Sequence, residues 1–201
     1  MSEDKLDRNG VVAALAAFTL WGLVPIYYKG LQTVGAWEVL AHRVIWSIPV
    51  LLLFLAVRDG KTFWKKLRLP IKSVAWLVLS GLTISINWLV FVWAVANDHV
   101  LDTSLGYFGT PLVNVLLGYL FLKERLPALQ VIAMVVAAMG TFYLAWYLGR
   151  PPWIAITLAV SFGLYGLLRK RLDVGPMLGL LWETKLMFLP ALVYLLWLST
   201  Q

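Results

Sequence analysis

The stretch VAWLVLSGLTISINWLVFVWAVA, residues 74–96, decides the fold. It is uncharged from end to end and reaches the ~20 residues an α-helix needs to cross a hydrocarbon core. Six comparable apolar runs accompany it, at 10–28, 36–57, 103–122, 127–147, 153–168 and 177–198. Hydrophobic residues make up 61% of the 201 and charged residues 13%, about half the charged share of a typical soluble domain. A soluble chain of this length buries one core, not seven such runs. The expected fold is an all-α integral membrane protein, a polytopic bundle of about seven transmembrane helices.

The gaps between the runs alternate in charge. Most of the 17 Lys and Arg residues fall in every second gap. The tail 1–9 holds Lys5 and Arg8; the gap 58–73 holds Arg58, Lys61, Lys65, Lys66, Arg68 and Lys72. Lys123 and Arg125 follow the fourth run, and Arg169, Lys170 and Arg171 follow the sixth. The opposite gaps carry only Lys29 and Arg150. Cytoplasmic loops are enriched in Lys and Arg, so this pattern predicts a cytoplasmic N-terminal tail. It also explains the net charge of +7 through orientation and anionic lipid headgroups rather than nucleic acid. Trp37, Tyr27, Tyr28, Trp76, Trp146, Tyr147, Trp153 and Trp197 lie near run ends, where amphipathic rings favour the headgroup level. In the gap 58–73, Phe63, Trp64 and Leu67 interleave with Lys65, Lys66 and Arg68, which predicts a surface-lying amphipathic turn. The first run is too long for a signal peptide and no small-residue cleavage site follows it. The chain has no Cys, so thiolate metal sites and disulfides are excluded.

A repeat is legible when run one is laid on run six. Phe18-Thr19-Leu20-Trp21-Gly22-Leu23 matches Phe162-Gly163-Leu164-Tyr165-Gly166-Leu167, and Pro49 of run two aligns with Pro190 of run seven. Seven residues before each proline stands an ionisable residue, His42 or Glu183. The paired elements are five spans apart, an odd number, so the second copy must insert upside down. Inverted repeats are a signature of secondary transporters, with substrate bound between the halves. The expected organisation is the tail 1–9, a first five-helix unit at 10–148, and the start of an inverted second unit at 149–201, cut after two helices.

Polar residues inside the runs carry the chemistry, because each is costly in lipid. His42 and Arg43 lie about six residues into run two, some ~10 Å below the outer surface at ~1.5 Å per residue. Glu183 and Lys185 lie at similar depth in run seven, Lys185 being equally suited to snorkelling. Asn87, beside Trp88, needs hydrogen-bond partners in a dry bundle, from another helix or from substrate. Gly106, Gly109 and Pro111 predict a kinked run four lining a cavity with Tyr107, Thr110 and Asn114. Gly22 and Pro25 give run one the same broken character, near Trp21 and Tyr28. No catalytic, cofactor or metal motif is present: no His-Glu-x-x-His, no Gly-x-Ser-x-Gly, no Walker A loop. Nothing in the sequence specifies an oligomeric state.

These residues carry a family resemblance. The series Gly22-Leu23-Val24-Pro25-Ile26-Tyr27-Tyr28-Lys29, His42-Arg43-Val44-Ile45-Trp46-Ser47 and Asn87-Trp88 is similar to RarD-type permeases of the EamA family. So are Ser104-Leu105-Gly106-Tyr107-Phe108, Pro111-Leu112-Val113-Asn114, Lys123-Glu124-Arg125-Leu126, Ser161-Phe162-Gly163-Leu164-Tyr165-Gly166 and Glu183-Thr184. The resemblance implies a bacterial inner-membrane protein of the drug/metabolite transporter superfamily, with ten helices in two inverted repeats. It implies a permease for small molecules or metabolites, drug efflux being one form, since the RarD name is linked to chloramphenicol sensitivity. In one departure, Gly109-Thr110 stands where the pattern has Ile-Asn before the proline, so Thr110 supplies a hydroxyl in place of an amide.

The sequence thus predicts a gradient-driven transporter, not an enzyme, working by alternating access. Its cavity residues are Trp21, Pro25, Tyr28, His42, Arg43, Asn87, Trp88, Tyr107, Thr110, Pro111, Asn114, Tyr165, Glu183 and Lys185. Arg43 would hold an anionic substrate group or a fixed counter-ion, and His42 or Glu183 would take a coupling proton. The rival readings are an inactive, truncated membrane protein and, more remotely, a lipid-modifying enzyme, for which no convergent carboxylates or nucleophile are in place.

Overall fold

The structure is a computed structural model and describes residues 8–124, 126–147, 149 and 151–201, without the side chains of residues 8, 9 and 61. The tail 1–7, Arg125, Leu148 and Arg150 lie outside the described residues, so the expectations placed on them are not addressed.

Among the described residues eight α-helices follow one another: α1 (Arg8–Gly30), α2 (Ala36–Asp59), α3 (Phe63–Lys66), α4 (Ile71–Ala96), α5 (Val100–Leu122), α6 (Ala128–Tyr147), α7 (Trp153–Lys170) and α8 (Pro176–Leu198). All but α3 are long and apolar enough to span a membrane, and no strand occurs among the described residues. In hydrocarbon a backbone must satisfy its own hydrogen bonds, and a continuous helix does so within one segment. The seven expected spans agree with these helices to within a few residues.

Helix ends follow local chemistry. Lys123 adopts a left-handed conformation, φ 55°, and its N–H closes back on the Gly118 carbonyl, ending α5. Gly175 precedes Pro176, whose missing N–H costs nothing in the first turn of α8. The basic segment after α2 forms a 3₁₀ turn, Gly60–Thr62, and then α3. There Phe63 is buried against Leu55 and Leu181 while Trp64, Lys65 and Lys66 face outward. The amphipathic turn expected there is present. α1, α2, α5 and α8 run on through Pro25, Pro49, Pro111 and Pro190, so the broken character expected of α1 and α5 does not take the form of an interrupted helix. A proline in a helix removes one hydrogen bond, and helical geometry is retained on either side of each.

Packing places α7 against α4 and α5, and α8 against α2 and α4. In lipid, helices are held by close fit and polar contacts rather than by the hydrophobic effect. Small residues accordingly line these contacts. Gly106 of α5 faces Ala155 and Leu158 of α7, and Gly81 of α4 faces Glu183 of α8. Tyr28, Val39, Phe91, Val95, Ile154 and Leu158 form one core cluster joining α1, α2, α4 and α7. By contrast α6 buries no residue and α1 only Tyr28 among its described side chains. Their apolar faces, with Phe18, Phe142 and Trp146 at 70% exposure or more, are suited to lipid.

Two ends can be distinguished. At the basic end, α3 meets α8, and Lys170 pairs with Glu124 across the ends of α7 and α5. At the far end, Lys29 pairs with Asp98, tying α1 to the α4–α5 turn, and Trp93 packs on Trp153 and stacks on His99.

Candidate functional site

Arg43 organises the far-end half of the bundle. One turn of α2 places Val39 and Val44 in the core and leaves His42 and Arg43 facing a cavity of about 620 Å³ beside α1. Its walls include Tyr27, Tyr28, Glu38, His42, Arg43 and Trp46. The Arg43 guanidinium lies 3.9 Å over the Trp88 ring and donates a hydrogen bond of 3.1 Å to the Tyr28 hydroxyl. A cation over an indole face is attracted by the ring quadrupole, more so away from water. Tyr28 packs edge-on against Phe91, and Phe91 against Tyr107, so three further rings brace the pair. No carboxylate among the described residues forms an ion pair with Arg43, Glu38 included. A guanidinium carries five donors and keeps its charge. This one is oriented, partly desolvated and not neutralised.

A second polar group forms where α4, α7 and α8 meet. Glu183 is 1% exposed. It accepts hydrogen bonds from the hydroxyls of Ser80, at 2.6 Å, and Tyr165, at 3.4 Å, and the Arg169 guanidinium stands 3.9 Å away. Asn87, between the two groups on α4, donates to the Leu158 carbonyl at 2.9 Å and to Ser161 Oγ at 3.0 Å. Its amide N–H groups are thereby committed to α7.

The structure brings together Tyr28, His42, Arg43, Trp88 and Tyr107 around the first group, and Tyr165 with Glu183 in the second. The other sequence candidates disperse. Trp21 is half exposed on α1 and Pro25 lies one turn below Tyr28. The Thr110 hydroxyl bonds back to the Gly106 carbonyl of its own helix, at 3.0 Å, while Pro111 is exposed. Asn114 lines a separate cavity of about 630 Å³ at the basic end, with Gly163, Gly166, Glu124 and Lys170. Lys185 lies 4.5 Å over the ring of Trp182. Ser80, Phe91 and Arg169 escaped the sequence reading as site residues. Ser80, Ile84, Asn87 and Phe91 are all buried and recur at i, i+4, i+7 and i+11, so one helical face running through Asn87 points to the first two. Arg169 follows Tyr165 at i+4, but its place among loop cations disguised it as an orientation signal. Among the described residues no group of three or more metal-ligating side chains occurs.

Among the described residues, seven continuous membrane-length helices define a polytopic helical membrane protein, with an aromatic-braced cation in a cavity and a buried carboxylate inside its bundle. The EamA-like transporter family matches residues 8–146, and the chain belongs to that family, with RarD-type relatives throughout. It is 44% identical to an uncharacterized transporter of Vibrio cholerae over 99% of this chain and 66% of that protein. It is 42% identical to protein RarD of Streptomyces exfoliatus, over 100% of this chain and 64% of the relative. Against protein RarD of Escherichia coli the identity is 41%, over 95% and 64%. The chain therefore spans 64–66% of the length of these relatives. No solved structure matches it.

Proposed function

We propose that the chain is the substrate-binding part of a gradient-driven permease for small anionic metabolites, without enzymatic chemistry of its own, in the bacterial inner membrane. Residues 10–148 are the first repeat, the tail 1–9 is cytoplasmic, and 149–201 open an inverted second repeat; the two exchange access to the cavity by rocking against each other. The observation that carries this reading is the Arg43 guanidinium, fixed by Tyr28 and Trp88 at a cavity wall without a carboxylate partner among the described residues. An anionic group entering the cavity supplies the missing charge. The surrounding rings favour a substrate with an apolar or aromatic body. His42 on the cavity wall and Glu183 in the neighbouring interface are the titratable groups suited to proton coupling.

The test is counterflow in proteoliposomes across a panel of anionic, neutral and cationic metabolites. Arg43→Ala is expected to reduce exchange of the anionic members about ten- to hundredfold, as loss of a charge-assisted contact of about 1.5–3 kcal/mol does. Arg43→Lys recovers part of it, because an ammonium keeps the charge and loses the planar fork. Exchange by Arg43→Ala at the parent rate, with the same substrate range, removes Arg43 from the mechanism.

A further inference from the structure

The basic end of α7 holds a charge that the orientation rule does not account for. Arg169 turns inward: its side chain is 13% exposed and that of Glu183 only 2%. Nη2 donates to the carbonyls of Val174, at 3.1 Å, and Gly175, at 3.3 Å, both in the α7–α8 turn. Nη1 is buried, makes no hydrogen bond, and stands 3.9 Å from Glu183 Oε1. The guanidinium reaches this position by crossing the backbone of α8 at Gly179. A Cβ built there would overlap Arg169 itself. Glu183 is fixed in turn by Ser80 of α4 and Tyr165 of α7. One side chain thus links the last turn of α7, the turn that follows it and the buried carboxylate of α8, which itself abuts Gly81 of α4.

We propose that Arg169 and Glu183 form an ionic lock that holds α4, α7 and α8 together at the basic end of the bundle, with Gly179 as the notch that admits the guanidinium. The role given to the lock, closing that end while the Arg43 cavity is open, rests on the permease reading. The lock itself does not, and its test needs no substrate. Neither charge is stable alone at this site, since breaking a buried pair leaves the other partner uncompensated. The pair must part when the basic end opens. Arg169 therefore acts through Glu183, as a positioning and gating residue.

The chain has no Cys, which makes it a ready background for accessibility measurements. Leu77→Cys on α4 and Leu181→Cys on α8 replace residues that are 0% and 2% exposed near the lock. Each is placed in the whole chain in nanodiscs and reacted with a charged, membrane-impermeant thiol reagent. Arg169→Gln and Glu183→Gln are each expected to raise the labelling rate of both reporters at least about tenfold. The double variant labels no faster than either single one, because the two residues serve one interaction. Gly179→Ala changes no charge and favours the helix, so it is expected to fold; it displaces the guanidinium and also raises the rate. Unchanged labelling in Gly179→Ala, or a double variant whose factor is the product of the single factors, overturns the lock.

Discussion

At the scale of single residues, Asn87 shows how a polar group in a membrane span is resolved. Asn87 is 2% exposed, and its hydrogen bonds to the Leu158 carbonyl and Ser161 Oγ both go to α7. Asn87→Leu is expected to lower stability by about 0.6–2 kcal/mol, the range for an interhelical hydrogen bond in a membrane. Thermal unfolding in a single detergent measures it, and Ser161→Ala in the same background should lose much of its separate effect, since the two side chains share a bond. The substrate range found in counterflow should not move with Asn87→Leu. The sequence signals that Asn87 must have a partner, because an unsatisfied amide in lipid is expensive. It does not signal which one, because a carbonyl on a distant helix leaves no trace in residue type. The same limit separates His42 from Glu183. The repeat equates them, yet one faces the Arg43 cavity and the other is enclosed by Ser80, Tyr165 and Arg169.

Between elements, glycine sets how closely α5 and α7 approach. A side chain at Gly106 would lie 3.0 Å from Leu158 Cβ and 3.1 Å from the Ala155 carbonyl, backbone that has nowhere to go. Gly106→Leu is therefore expected to separate α5 from α7 at a cost of about 1–3 kcal/mol or more. Gly140 on α6 meets nothing within 4 Å, so Gly140→Leu serves as the matched control and should leave unfolding unchanged. Thermal unfolding of both variants beside the parent decides it, and equal melting temperatures would contradict the packing. Helix positions were legible here because run length alone specifies a span. Which glycine does the packing was not. Gly106 and Gly140 sit in equally apolar sequence, and the difference lies wholly in what stands opposite. Gly106 and Pro111, from which a kinked run was expected, leave α5 one continuous helix from Val100 to Leu122, with the Thr110 hydroxyl on the Gly106 carbonyl next to the proline.

For the whole molecule, the alternating basic gaps and the odd repeat length make the same demand, that α7 and α8 run opposite to α1 and α2. In the structure α2 and α8 pack together, with the end of α2 and the start of α8 joined at Phe63, Leu55 and Leu181. Charge segregation was readable because each helix reverses direction, so a gap's side follows from its order. The packing partners of α7 were not, since they depend on the surface complementarity of Gly106, Gly163, Ala155 and Ala159 with their neighbours. Sidedness is open to direct measurement in the same Cys-free background. Gln32→Cys and Asn97→Cys, at the far end, should react with an impermeant thiol reagent added to intact cells. Thr62→Cys in the basic segment and Asp173→Cys in the α7–α8 turn should react only after the membrane is opened, because both lie in gaps rich in Lys and Arg. The informative position is Asp173. Protection of Asp173→Cys together with Thr62→Cys places an even number of crossings between them, as α4 to α7 require. Labelling of Asp173→Cys from outside would break the alternation after α5 and with it the inverted second unit, whatever the behaviour of the first.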